Sequence, residues 1–269
     1  MPILEIFQYD FMIRALLAGL MIAVVTPLIG GFLVVRQMSI MADALAHVAL
    51  AGVAVGLFIG FNPILSTLGV TVLVAVLVEY LRKGGKTSSD ALLAMLQPGG
   101  LAVSLVLVSL ANGFNSSLTS YLFGSITAVN INDIWIMGGL CIGIVTAIIG
   151  FYRILLYTAF DEVSARASGL PVFILNALLM VLTALTVSIA LRTIGGLLVG
   201  ALMIIPVSTA MLFARGFKQS LFFGIGFAVI QVVAGLVASY YMDLPAGAII
   251  VLISLLTYLC TRFVFSARR

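Results

Sequence analysis

Nine apolar stretches, each about as long as a membrane-crossing helix, follow one another along this chain with only short polar breaks between them. They run over roughly residues 12–35, 40–60, 63–81, 90–111, 133–157, 171–191, 194–214, 219–241 and 244–265. Segments this long and apolar must satisfy their own backbone hydrogen bonds once they leave water, and a helix does so within itself. Barrel strands are excluded, because they run about ten residues and alternate polar with apolar positions. The expectation is an all-α polytopic membrane protein of about 8–9 transmembrane helices, forming a single transmembrane domain over residues 1–269.

The breaks carry ordinary turn chemistry: Phe61-Asn62-Pro63, the basic run 82–86, the polar run 112–117, Gly169-Leu170-Pro171, Arg215-Gly216-Phe217-Lys218 and Asp243-Leu244-Pro245. Residues 118–131 are too short to span and read as an outer or re-entrant half-helix. The first apolar stretch is longer than the core of a cleavable leader and lacks a clear small-residue cleavage pattern, so it reads as the first span.

Only 8% of the residues are charged, and the net charge of +4 sits mostly in short loops, which is not a nucleic-acid footprint. With the C-terminus placed in the cytoplasm, eleven basic residues fall on or near the inner side: Arg36, Arg82, Lys83, Lys86, Arg153, Arg166, Arg215, Lys218, Arg262, Arg268 and Arg269. Arg14 and Arg192 remain outside, together with the acidic N-terminus carrying Glu5 and Asp10, as the positive-inside rule favours. The two cysteines, Cys141 and Cys260, have no ligand spacing and read as small buried hydrophobes. Glycines four apart, as in Gly52/Gly56/Gly60 and Gly196/Gly200, permit close helix packing.

Several chemistries are missing. Gly84-Gly85-Lys86-Thr87 lacks the further glycine of a phosphate loop, since Tyr80 stands at that position. No Gly-x-Ser-x-Gly elbow and no His-Glu-x-x-His pair exists, so the chain is expected not to be an enzyme and to bind no permanent cofactor. What remains is the single histidine, His47, four residues after Asp43 within the second apolar stretch. Four residues on a helix advance about 400° and about 6 Å, which stacks the two side chains one turn apart on one face. Three readings stay open for an intramembrane pair of this kind: a hydrogen-bonded glue between helices, a proton relay, or two ligands for a divalent metal ion.

Other polar residues have local readings. Asp133 follows Asn130-Ile131-Asn132 and caps a helix; Asp243 marks a helix end or attracts cations at an outer mouth; Glu79 pairs with Arg82 or Lys83. Tyr240 and Tyr241 read as an interfacial aromatic belt. Residues 160–171, Phe-Asp-Glu-Val-Ser-Ala-Arg-Ala-Ser-Gly-Leu-Pro, are the most polar string between two spans. They read either as a solvated loop or as a short surface helix that docks a cytoplasmic partner.

These strings together resemble the zinc/manganese/iron-chelate permease family of ABC importers. The resemblance rests on residues 33–54 around Arg36, Ser39, Asp43, His47 and Gly52, and on Asp161 with Ala165, Gly169, Leu170 and Pro171. It rests also on Gly200 through Thr209 with Pro206, and on Tyr240-Tyr241-Met242-Asp243-Leu244-Pro245 with Gly247, all in the family's order. One departure is Gln37, where many members carry a second basic residue before the Met-Ser pair. The resemblance implies a permease related to the type II importers, multi-pass in a bacterial plasma membrane. It implies a homodimer that pairs with two cytoplasmic ATPase subunits and receives metal from an extracytoplasmic metal-binding protein. It assigns Asp43 and His47 as metal contacts, and residues 160–171, with Asp161, Glu162, Ala165, Gly169, Leu170 and Pro171, as the coupling segment. The transported ion is then zinc, on the imidazole, or manganese. The competing expectation is a proton-coupled secondary transporter or cation channel that uses the same pair without an ATPase.

Overall fold

A computed structural model of the protein describes residues 9–83, 89–110, 121–124 and 129–266. Ten helices lie among them: α1 (Asp10–Val35), α2 (Ile40–Ile59), α3 (Pro63–Lys83), α4 (Ser89–Leu110), α5 (Ile131–Phe160), α6 (Glu162–Ala167), α7 (Val172–Ile194), α8 (Val199–Met211), α9 (Phe217–Met242) and α10 (Ala246–Ser266). No strand occurs among the described residues, and all of the helices except α6 and α8 are long and apolar enough to cross a membrane. The protein is therefore a multi-pass helical membrane protein. In α1, α2 and α7 about two-thirds of the most apolar window is buried (67%), against 17% in α4 and 22% in α10. The first three thus form the core, and the outer helices turn apolar faces to lipid. Ile22, Phe32, Leu45, Leu50, Leu179 and Met203 belong to one continuous buried cluster.

The long helix α5 orders the two ends of the bundle. At its start, Asp133 meets Arg192 of α7 at 2.6 Å; at its finish, Phe160 packs its ring 6.2 Å from that of Phe217, which opens α9. The end of α7 and the start of α9 therefore lie at opposite ends, and residues 195–216 must carry the chain back between them. The expected seventh span, over 194–214, is corrected in length, since within it α8 has only 13 helical residues, about 20 Å of rise. The reason is a close approach to a distant part of the chain. Gly195 sits at φ +92, and a Cβ there would fall 2.4 Å from the Phe123 carbonyl carbon, so the chain turns before α8 starts. Gly196 and Leu197 donate backbone N–H groups to the carbonyls of Tyr121 and Leu122 at 2.8 and 3.3 Å. Of the half-helix expected over 118–131, residues 121–124 and 129–131 are described; the rest lies outside the described residues, as do the runs 84–88 and 111–117.

Tyr9 lies beside Tyr240 at one end of the bundle (ring centroids 6.2 Å apart), and Arg36 and Arg82 meet α6, with its own Arg166, at the other. Cys141 is buried, whereas Cys260 is exposed on the lipid-facing α10, which corrects the expectation that both are buried. Asp243 closes α9 in the left-handed region at φ 54, with its N–H on the Ser239 carbonyl, so it marks a helix end.

Helices inside lipid gain little by hiding apolar surface from water, so contact depends on close packing of small residues. At Gly30 in α1 an added Cβ would lie 1.8 Å from the Met203 carbonyl oxygen of α8. Gly30→Ala should therefore lower stability by about 1–3 kcal/mol through overpacking, read as a drop in thermal unfolding midpoint in detergent. Gly69→Ala, with nothing within 4 Å of the new methyl, should leave the midpoint unchanged or raise it.

Candidate functional site

α2 is buried nearly all round: Met41, Ala42, Ala44, Leu45, Ala46 and every residue from Val48 to Ala54 are covered. Asp43 and His47 are the half-open positions in this stretch, so both side chains face one seam. That seam is closed on one side by α4. Gly100 of α4 lies directly on the α2 backbone, since a Cβ there would be 2.7 Å from the carbonyl carbon and oxygen of His47. One turn earlier on α4, Gln97 donates from Nε2 to Asp43 Oδ2 at 2.6 Å. The first turn of α8 closes the other side, where a Cβ on Gly200 would lie 3.4 Å from Asp43 Cβ.

The imidazole Nδ1 of His47 is buried and has no hydrogen-bond partner among the described residues. A buried, unpaired ring nitrogen costs about 1–3 kcal/mol, a cost that a ligand or metal ion at that atom would remove. Among the described residues no three His, Cys, Asp or Glu side chains cluster. One chain thus offers a carboxylate and an imidazole as its strong donors, with an amide beside them.

At the basic end, α6 is a single capped turn and a half. Asp161 accepts from the Ser164 N–H at 2.9 Å and from its hydroxyl, and these bonds hold its carboxyl below the usual carboxylate range. The helix stops in a Schellman turn: Leu170 donates to Ala165 O at 3.2 Å and Gly169 to Arg166 O at 3.1 Å, with Gly169 at φ +79. Ala165 is fully buried and Leu170 packs against the core, whereas Asp161, Gly169 and Pro171 face outward. Beside them Val163 is 79% exposed and Phe160 65%, a bare apolar edge at the tip of the bundle.

Glu162 points the other way, into the bundle. Its carboxylate meets Arg36 at 2.9 Å, Arg166 at 3.1 Å and Arg82 at 4.0 Å. Arg36 also donates to Asn176 Oδ1 of α7 at 2.6 Å, while Arg82 holds Glu79 by two bonds at 2.8 and 2.9 Å. Burial, with Arg82 adding, pushes the Arg36 guanidinium below its ordinary range; Glu162 and Glu79 oppose that shift. Arg36 closes α1 and Asp43 lies in the first turn of α2, so α6 is tied to the helix that carries the Asp43/His47 pair.

Of the residues expected from the sequence, Asp43 and His47 come together on one seam, and the segment 160–171 does form a short helix against the bundle. The Glu79–Arg82 pair and Asp133's acceptance of the Asn130 N–H at 2.9 Å also stand as expected. Sequence reading missed Gln97, missed Arg36 as a partner of α6, and missed Asn176 as a partner of Arg36. The signal for Gln97 was an amide followed by Pro98-Gly99-Gly100 inside an otherwise apolar helix.

Comparison with known proteins places these features. The sequence profile of the ABC 3 transport family matches residues 8–265. The chain is 32% identical over 265 residues to the manganese transport system membrane protein MntC of Halalkalibacterium halodurans, covering 98% of this chain and 90% of that one. It is 31% identical over 256 residues to the high-affinity zinc uptake system membrane protein ZnuB of Haemophilus influenzae, covering 95% and 98%. The solved structure of PsaBC from Streptococcus pneumoniae in complex with Fab matches with a TM-score of 0.87 at 31% identity, over 96% of this chain and 95% of that one.

The α6 anchor makes two expectations. Glu162→Gln leaves the Arg36 side chain, only 5% exposed, without its nearest counter-charge, and should cost about 2 kcal/mol in thermal stability. The Asp161 cap has a lowered folded-state pKa, so its contribution is full above the unfolded carboxylate value and is lost as pH falls through the folded one. Hydrogen-exchange protection of the Ser164 amide should therefore persist at neutral pH and collapse only in acid below the ordinary carboxylate range.

Proposed function

This chain belongs to the ABC 3 transport family, and from that premise we propose that it is the membrane-spanning permease subunit of an ATP-driven importer of divalent transition-metal ions. The observation that carries the reading is the Asp43/His47 pair: the only histidine of the chain, one turn from a carboxylate, half-open in a membrane-embedded seam, with an unpartnered Nδ1. The imidazole puts zinc first and manganese next, and the carboxylate tolerates both. Relatives named for manganese and for zinc transport support this range.

Two strong ligands hold an ion loosely, which suits a site that must release its cargo. The chain acts as a single permease domain over residues 1–269, and as a homodimer it brings two such pairs toward a shared axis, up to four ligands for an ion in transit. Asp43 and His47 are the metal contacts; loading uses the ionised carboxylate and the neutral imidazole. With no phosphate loop of its own, the permease relies on two cytoplasmic ATPase subunits, and an extracytoplasmic binding protein delivers the metal. The ATPases dock at α6, where Asp161, Gly169 and Pro171 face out beside the bare Val163. Glu162, Ala165 and Leu170 anchor that helix to the bundle. Movement of α6 reaches the metal pair through Glu162, Arg36 and the short turn into α2.

Asp43→Ala and His47→Ala should each reduce metal uptake to background while the subunit still reaches the membrane and pulls down its ATPase. Uptake at the unmutated rate by either variant would overturn the site assignment. In liposomes, flux should need the ATPase and ATP; flux by the permease alone would favour a secondary transporter or channel.

A further inference from the structure

Gln97 is the one side chain that reaches the Asp43 carboxylate from another helix among the described contacts, at 2.6 Å from Nε2 to Oδ2. Three features of α4 aim it there. Pro98 has no N–H, so the carbonyl of Ala94 loses its helical donor and α4 loosens directly behind Gln97. Gly100 then lets α4 lie on the α2 backbone, where any side chain would strike the His47 carbonyl group at 2.7 Å. Because Gln97 and Gly100 are three residues apart, they share one face of α4, with Gln97 opposite Asp43 and Gly100 opposite His47.

A side-chain amide carries two N–H donors and a carbonyl oxygen on one planar group, and the torsion that turns that group is soft. The same residue can hold a carboxylate through Nε2 between cargo ions and present Oε1 when an ion arrives. We propose that Gln97 is the third donor of the metal site in each chain and that its amide oxygen determines how well manganese competes with zinc. The inference rests on the permease reading above and deepens it. Neutral carbonyl oxygens suit manganese, a harder ion that accepts more oxygen ligands, whereas zinc is served by the imidazole and carboxylate in a four-coordinate shell. With Gln97 the donor set per chain becomes one nitrogen and two types of oxygen.

The test compares initial uptake of radiolabelled manganese and zinc by cells carrying the complete importer, with wild type, Gln97→Met and Gln97→Asn. Binding of manganese to the purified permease–ATPase complex is read alongside from the loss of the free Mn(II) resonance signal. Gln97→Met keeps the length and removes both the amide N–H donors and the carbonyl oxygen, and should raise the KM for manganese about tenfold and weaken manganese binding in step. The KM for zinc should rise far less, so the manganese-to-zinc preference falls several-fold. Gln97→Asn, one methylene shorter, should shift the preference in the same direction by less, and it decides the matter if Gln97→Met fails to reach the membrane. An unchanged preference in either variant overturns the proposal. So does an equal fall in Vmax for both metals at constant KM, which is what a purely structural role would give. Failure of the permease reading looks different: there the wild type moves neither metal, or Asp43→Ala moves both normally.

Discussion

Backbone-to-backbone contact at glycine is the interaction on which this bundle depends. Lipid removes the usual gain from hiding apolar surface, so helices stay together only where they approach closely enough for dense packing. Gly30 admits the Met203 carbonyl of α8 to α1, Gly247 admits the Ile194 carbonyl of α7 to α10, and Gly100 admits the His47 backbone of α2 to α4. The first two position the short helix α8 and the last span. The third creates the seam in which Asp43, His47 and Gln97 meet, so the proposed metal site is a by-product of a close helix crossing.

The charged layer at the basic end has a different logic. Arg36 is too deeply placed to stand alone; its charge is balanced by Glu162, and its Nη1 donates to Asn176. That requirement ties α6, α1 and α7 into one unit at the end of the bundle. Because Arg36 is followed by a turn of three residues before α2, what satisfies a buried charge also connects the outward-facing edge of α6 to the first turn of the site helix. The contacts that satisfy this buried cation are the ones on which the proposed coupling of α6 to the site helix rests.

The parts of the site legible in the sequence are those set by neighbours along the chain. Asp43 and His47 share a face because of helical pitch, Glu79 meets Arg82 at three residues' distance, Asp133 reaches back to Asn130, and Asp243 ends α9. What escaped reading has partners far away: Gln97 and Asp43 are 54 positions apart, Arg36 and Glu162 126, Arg36 and Asn176 140. The length of α8 escaped for a related reason. Its sequence is apolar enough for a full span, but a neighbouring backbone at Phe123 and Gly124 bends the chain at Gly195.

By itself the sequence determined that this protein is a bundle of membrane-crossing helices with a carboxylate and an imidazole on one helix face and a polar segment, bearing helix start and stop signals, at the basic end. Those features follow from hydrophobic length, helical pitch and capping chemistry, all local. Only the tertiary structure decided which helix lies across the pair, that an amide joins it, and that the capped segment is anchored through a buried arginine. Those depend on where backbones can touch and which buried polar groups must find partners, and neither condition is written in any one segment of the chain.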